Sequence, residues 1–345
     1  MLRPVGIRIG VVDMEKININ PIIENIVNVV ESHKIDTGKY SRWIWQNEEK
    51  DRDLGVTAFG CADATNILYT INRFPKKTSE RAKWIEALQD MQDEKTGMFY
   101  EDTHLRTHVT AHCTAALELF DALPRYPFKD IEKYTDPAAM CELMEGLSWS
   151  DARGPGHIAP PIYSVFVITN RVDNVWVKTY FEWLDKNNDP EVGLWRKGTY
   201  PTQGSICSHM GDAFHFLFTY EHAKLPYPNV EKLIDTCLLM YQEGNVYPKF
   251  GEQFHFIEVD WVFCLNRASR QTKHRFDEIK QTLFDFAKRY VKWLNGVDWE
   301  RDDGANDLHM LFGTLCCLAE LQLALPGVIH TDVPLRMVLD RRPFI

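Results

Sequence analysis

Apolar residues at helical spacing frame one polar position six times along the chain, in ADATNIL, AHCTAAL, IYSVFVI, GDAFHFL, VDWVFCL and LHMLFGT. The second residues of these segments, Asp63, His112, Tyr163, Asp212, Asp260 and His309, lie 49, 51, 49, 48 and 49 positions apart. Leu or Ile follows five places later in each segment except the last, where Thr314 stands. A helix that turns its leucine to one face and its Asp or His to another has two faces within the same 3.6-residue period. Six such helices are therefore predicted.

A second landmark keeps the same pitch. Gly97, Gly146, Gly193, Gly244 and Gly296 follow one another at 49, 47, 51 and 52 residues and close a second set of helical patterns, clearest in RAKWIEALQDMQDEKTGMF and VKTYFEWLDKNNDPEVGLW. Regular self-similarity of this length marks a repeat array, in which each helical pair buries its apolar face against its neighbours. Two helices per repeat and six repeats predict an all-α (α/α)6 toroid of about twelve helices. In it, six outer helices, five of them leading to the glycines, surround six inner ones that carry the polar register. With helix axes about 8–10 Å apart, opposite inner axes stand roughly 16–20 Å apart, so polar side chains meet across a narrow lumen. The whole of 1–345 reads as one domain, with 1–18 as a lead-in and 326–345, containing Pro326, Pro334 and Pro343, as a segment closing one face.

The register residues supply the candidate chemistry. Asp260 stands in FIEVDWVFCL among Phe256, Val259, Trp261, Val262 and Phe263, where desolvation raises a carboxyl pKa. An acid kept protonated near neutral pH can donate a proton, and His309, at the matching place one repeat later, can reload it. Asp212, Asp63 and His112 complete the candidate catalytic set. Neighbouring positions on the same helix faces add Asn66, Phe166, His215, Phe263 and Phe312 three places on, and Phe59, His108 and Phe256 four places back. The candidate substrate-binding wall is therefore Tyr163, His215, Phe59, Phe166, Phe256, Trp261, Phe263, Phe312 and Asn66. His104, His108 and His112 form a stripe at spacing four. The alternative for Asp or His near a helix start is capping of the backbone.

Composition narrows the partners. A net charge of −10 argues against nucleic acid and against a strongly anionic substrate. No run reaches eighteen apolar residues, and the first sixteen residues lack a secretory pattern. The expectation is a cytoplasmic protein without an integral membrane segment, acting on a small molecule in its central cavity. The eight cysteines fall within helical patterns and read as reduced core residues. There is no phosphate-cradling glycine loop and no Gly-x-Ser-x-Gly elbow. Cys207, His209, Asp212 and His215 lie within nine residues; Asp212 and His215 share a helix face and could both coordinate, whereas Cys207 and His209 are two apart. No metal and no cofactor are expected. The segment from Asp151 to Tyr163, rich in Pro and Gly, reads as a long connection or as a loop over the lumen mouth.

The outer-helix ends, Gln92 through Gly97-Met98-Phe99 and Asp189-Pro190-Glu191-Val192-Gly193-Leu194-Trp195, resemble the Gln/Gly/aromatic repeats of the terpenoid cyclase and protein prenyltransferase toroids. Against the Asp-x-Asp-Asp acid of protonating cyclases, Glu258-Val259-Asp260-Trp261 matches at its middle aspartate. Against the prenyltransferase zinc site, Asp260 and His309 match and Val262 replaces the cysteine, so zinc is expected to be absent or weakly held. The resemblance implies a terpenoid cyclase- or isomerase-like enzyme that protonates a largely apolar substrate through Asp260 and His309. A glycan-active toroid, whether hydrolase, lyase or epimerase, is the alternative, because Asp/His pairs also suit sugar hydroxyls. A non-catalytic ligand-binding ring is the third possibility.

Overall fold

The computed structural model describes residues 15–47, 51–149, 154–196 and 205–345. The lead-in expected over 1–18 is thus described only from residue 15, and positions 151–153 of the Pro/Gly-rich segment lie outside the described residues. The described chain is mostly helical. In chain order its helices are α1 (Asn20–Ser32), α2 (Ala58–Thr70), α3 (Thr78–Gln89), α4 (Arg106–Glu118), α5 (Pro137–Gly146), α6 (Ala159–Ile168), α7 (Asn174–Asn187), α8 (Ile206–Ala223), α9 (Val230–Gln242), α10 (Ile257–Ala268), α11 (Phe276–Leu294) and α12 (Leu308–Ala324). The strands are β1 (Ile17–Asn18), β2 (Lys34–Asp36), β3 (Lys39–Tyr40) and β4 (Ile329–His330), with β2 and β3 forming a hairpin and β1 pairing in parallel with β4.

Two kinds of helix alternate. The odd-numbered ones are amphipathic: α11 buries Ile279, Leu283, Phe286, Ala287, Tyr290, Val291 and Leu294, a single stripe at helical period. The even-numbered ones carry the polar register and are enclosed nearly all round, so that every residue of α10 is buried. A helix without a solvent face needs its ends satisfied locally. Thr57 caps α2 by accepting from Gly60 N, Ser205 caps α8 by accepting from Ser208 N, and Asp307 caps α12 by accepting from His309 N. Gly97 and Gly193 follow α3 and α7 with φ of 78° and 69°; a Cβ there would meet the Pro127 carbonyl oxygen and Leu233 N respectively.

The enclosed helices contact one another in chain order: α2 packs on α4, α4 on α6, α6 on α8, α8 on α10, α10 on α12, and α12 returns to α2. Residues 326–345 run from β4 through the 3₁₀ turn Val338–Asp340 and back among these helices. Arg342 donates from Nε to the Ala115 carbonyl at 3.0 Å and from Nη2 to Asn66 Oδ1, while Ser164 Oγ donates to the Pro343 carbonyl. Phe344 is fully buried, its ring 5.0 Å from that of His108 and 5.6 Å from that of Phe218. None of the described helices is long and apolar enough to cross a membrane, and all eight cysteines are free thiols.

A buried ion network ties α10, α12 and the C-terminal segment together. Glu320 on α12 has no exposed surface and accepts from Asn266 Nδ2 and from Arg267 Nε (2.9 Å) and Nη2, and Arg267 also reaches Asp340 at 2.9 Å. Removing one partner of a buried pair leaves the other desolvated and uncompensated, which costs about 3–5 kcal/mol. Glu320→Ala is therefore expected to lower unfolding free energy by about 3 kcal/mol or more in urea denaturation, with Glu320→Gln losing less. An Ala variant within about 0.5 kcal/mol of the parent would show that the network carries no net stability.

Candidate active site

A cavity of about 150 Å³ opens between the helices that carry the register, lined by His104, His108, His157, Ser208, Gly211, Asp212, His215, Tyr247, His255, Phe256, Ile257, Asp260, His309, Met310 and Ile345. Six of the chain's twelve histidines thus share one small space with two aspartates. The volume is about half the lower end of the roughly 300–1,000 Å³ common for drug-sized ligands. A wider depression of about 720 Å³ shares His104 and Met310 with it and is walled in part by Arg42, Trp43, Tyr100, Glu101 and Asp307. It forms a vestibule to the inner cavity.

Beside the cavity, Asp63 of α2 is wholly enclosed. Its Oδ1 contacts His112 Nε2 of α4 at 2.7 Å and His309 Nδ1 of α12 at 3.2 Å. Burial opposes its ionisation, yet His309 and His112 outweigh burial and hold the carboxyl well below the usual range. An ionised carboxylate only accepts, so both histidine nitrogens must donate. That assignment leaves Nδ1 of His112 and, in neutral His309, Nε2 without a proton. The Asp63–His309 pair thus has the form of a carboxylate-oriented base, and the His309 ring lines the cavity. The Phe59 ring packs over this group, 4.4 Å from His309 and 5.1 Å from His112, with the Arg42 guanidinium 5.1 Å from Phe59. Arg42 is itself fixed by two bonds to Asp307, at 2.7 and 2.8 Å.

Asp260 of α10 lines the same cavity in the opposite electrostatic state. Burial, and secondarily the neighbouring Glu258, pushes its pKa well above the ordinary carboxylate value, and its Oδ1 has no hydrogen-bond partner. Glu258 is itself raised by burial to about 7, although Gly251 N and Gln253 Nε2 donate to its Oε1 at 2.9 and 3.0 Å. The histidines are driven toward neutrality as well. Burial, with help from neighbouring histidines, places His104 and His108 well below their ordinary value, and burial lowers His215 to about 4.

Asp212 of α8 holds a loop in place: Gly156 N donates to its Oδ1 at 2.6 Å. A Cβ on Gly156 would lie 2.5 Å from that oxygen, so only glycine allows the approach. From the other side Thr107 Oγ1 of α4 donates to the His157 carbonyl at 2.7 Å. The loop before α6 is thereby clamped between two helices, with His157 at the cavity. His108, His157 and His215 each bring one ligand atom within 4.8 Å of the other two; Asp63, His112 and His309 form a second group with the same property.

Among the sequence candidates, Asp260, His309, Asp212, His215 and Phe256 line the cavity. Asp63, His112 and Phe59 stand immediately behind it, and Phe312 packs at 5.8 Å from His112. Asn66 holds Arg342 of the C-terminal segment, and Phe263 packs on Phe214 at 5.0 Å. Three candidates face the odd-numbered helices instead. Tyr163 and Phe166 pack on Trp176 of α7, and Trp261 donates to the Cys237 carbonyl of α9 and stacks near Phe286 of α11. The reason for Trp261 is geometric: one residue is about 100° of helix rotation, so a side chain adjacent to Asp260 cannot share its face. Tyr163 and Phe166 share a face, but α6 turns that face toward the aromatic cluster of Trp176, Tyr180 and Phe181. The sequence reading missed His104, His157, His255, Ser208 and Tyr247 as lining residues, and of the stripe His104, His108 and His112 it is the first two, not His112, that line the cavity. His157 and His255 each precede a helix, where periodicity is silent; the lone histidine of Gly-Pro-Gly-His was the available signal for the first.

Comparison with protein-family profiles, with curated proteins and with solved structures finds no match for this chain. Its chemistry is read from geometry alone.

Glu258 gives a pH test. Its folded pKa lies above the unfolded value of 4.5, so the folded state holds the proton more tightly; this stabilisation is present below 4.5 and is lost as pH rises through about 7. His215, depressed to about 4, acts in the opposite sense and destabilises as pH falls below about 6.5. Glu258→Gln removes only the first effect. Relative to the parent, the variant is expected to gain on the order of 3 kcal/mol in urea unfolding between pH 4.5 and pH 7. Parallel pH profiles for parent and variant would refute the raised acidity.

Proposed function

We propose that the even-numbered helices form the inner wall of a closed (α/α)6 toroid, related in architecture to the terpenoid cyclase and prenyltransferase rings. Within it, the cavity carries out general acid–base chemistry on a small hydroxylated or carbonyl-bearing molecule such as a sugar unit. The circuit of contacts from α2 round to α12 and back supports the architecture. One observation carries the chemistry: a carboxyl kept protonated by burial, Asp260, and a histidine oriented by an ionised aspartate, His309, line one small polar cavity. In the forward step His309 Nε2 takes a proton from substrate carbon or hydroxyl, while Asp260 gives its proton to the substrate oxygen that gains electron density. Return of the proton from His309 to the adjacent carbon, with Asp260 recovering a proton from the hydroxyl on the carbon first deprotonated, completes an isomerisation, and loss of the protonated oxygen as a leaving group makes the first step an elimination. Proton transfer by positioned side chains contributes typically 10²–10⁴-fold each.

Protonation of an isoprenoid would use the same Asp260, and it is the less well supported reading. Six histidines and about 150 Å³ suit a polar molecule better than a folded hydrocarbon chain. Moreover, Phe166 and Trp261, which would have shielded a carbocation, pack against α7, α9 and α11. The vestibule, with Trp43 and Tyr100 among its walls, gives a longer substrate room to extend from its reacting unit.

The test is solvent exchange in heavy water, followed by proton NMR over a panel of aldoses, ketoses and uronic acids. The parent protein is expected to replace a carbon-bound proton next to the carbonyl in at least one of them. Asp260→Asn and His309→Gln are each expected to slow that exchange by about 10²–10⁴-fold with the fold retained by circular dichroism. An Asp260→Asn protein that exchanges as fast as the parent would end this assignment.

A further inference from the structure

We propose that His108, His157 and His215 bind a divalent transition-metal ion of the zinc class, with a coordination position left open to the cavity. The inference goes beyond the acid–base reading and does not depend on it. It also revises the sequence expectation of no metal, which weighed Asp260 and His309 with Val262 in the place of a thiolate, and the cluster of Cys207, His209, Asp212 and His215, but not His108 with His157.

The three imidazoles come from three separate supports: α4, the loop before α6, and α8. Their ring centroids lie 4.7 Å (His108 to His157), 4.9 Å (His157 to His215) and 6.0 Å (His108 to His215) apart, and one ligand atom of each lies within 4.8 Å of the others. Tetrahedral zinc with nitrogens at 2.0–2.1 Å sets nitrogen–nitrogen separations of about 3.4 Å, so side-chain rotations that close the triangle by up to about 1.4 Å would seat the ion.

The surroundings match what metal-binding histidines need. His215 Nδ1 lies 3.0 Å from the Gly211 carbonyl oxygen, which makes that nitrogen the donor and leaves Nε2 as the lone pair for a metal; this is the outer-shell bond that fixes a ligand's tautomer and orientation. His157 is held at its backbone by Thr107 and through Gly156 by Asp212. His108 Nδ1 is buried without a hydrogen-bond partner. An all-imidazole set selects borderline transition metals over magnesium or calcium, which prefer oxygen. Three protein ligands with a fourth position facing a cavity is the arrangement of catalytic rather than structural zinc. The second group, Asp63 with His112 and His309, differs because its members already bond to one another through Asp63 Oδ1, although Asp63 Oδ2 and His112 Nδ1 are buried without a partner.

The experiment uses the full chain, purified, stripped with a chelator and dialysed. Titration with zinc by calorimetry and with cobalt(II) by visible absorption is expected to give one site per chain, with the intense d–d bands of a four-coordinate cobalt centre. His108→Ala and His157→Ala are each expected to weaken binding by more than the roughly 10–100-fold that loss of an outer-shell partner costs. His157→Ala, in a loop, keeps the test open if His108→Ala fails to fold. His309→Gln is expected to retain the metal. The inference is overturned if the folded parent binds neither ion, if the site survives both alanine substitutions, or if His309→Gln abolishes it. Because the readout is binding, a protein that takes no metal but loses solvent exchange in Asp260→Asn would remove this inference and leave the acid–base reading standing.

Discussion

A carboxylate sealed from water has to find its hydrogen-bond donors inside the protein, and Asp63 finds them on two neighbouring helices at once. Its Oδ1 is met by His112 of α4 and His309 of α12, so one anion on α2 spans three consecutive enclosed helices. The arrangement fixes tautomers as well as positions, since an acceptor-only group leaves each ring no choice about which nitrogen carries the proton. Phe59 covers the group and Arg42 covers Phe59, while Asp307 both anchors Arg42 and caps the helix that carries His309. The orientation of His309 at the cavity follows from this chain of contacts.

The same burial acts on acids and bases in opposite directions and brings both toward neutrality. Asp260 and Glu258 keep their protons longer than they would in water, whereas His104, His108 and His215 give theirs up sooner. Of the groups that line the cavity, Asp260, His104, His108 and His215 are therefore biased toward their uncharged forms, while the ionised Asp63 stays behind His309. Neutral partners exchange protons without first having to shed strongly bound water, which is the setting general acid–base chemistry favours.

Helices that alternate between enclosed and amphipathic leave a plain trace in sequence, because burial on one face or on all faces alters residue spacing directly. That is why the polar register located α2, α4, α6, α8, α10 and α12, and why Gly146, Gly244 and Gly296 fall at or just past the ends of α5, α9 and α11, whereas Gly97 and Gly193 lie farther on, in the loops after α3 and α7. Rotation of a helix about its own axis leaves a weaker trace. Asp260 and Trp261 are adjacent in the chain yet face a cavity and α9 respectively. Tyr163 occupies a register position but sits on a helix turned toward aromatic partners. His157 and His255 lie beyond the reach of periodicity altogether: the backbone clamp from Asp212 and Thr107 positions His157, and such a clamp joins residues about fifty positions apart.

The C-terminal segment gives the cavity its inner boundary. Arg342 bonds to Asn66 across 276 positions of chain, Phe344 packs against His108, and Ile345 is part of the lining. During synthesis α2 and α4 leave the ribosome long before this segment exists, so the pocket lacks Phe344 and Ile345 until the segment has packed against these helices. Closing contacts of such long sequence separation is slow. Until those contacts form, His108 lacks the cover of Phe344, so part of the burial that lowers its proton affinity depends on chain made more than two hundred residues later.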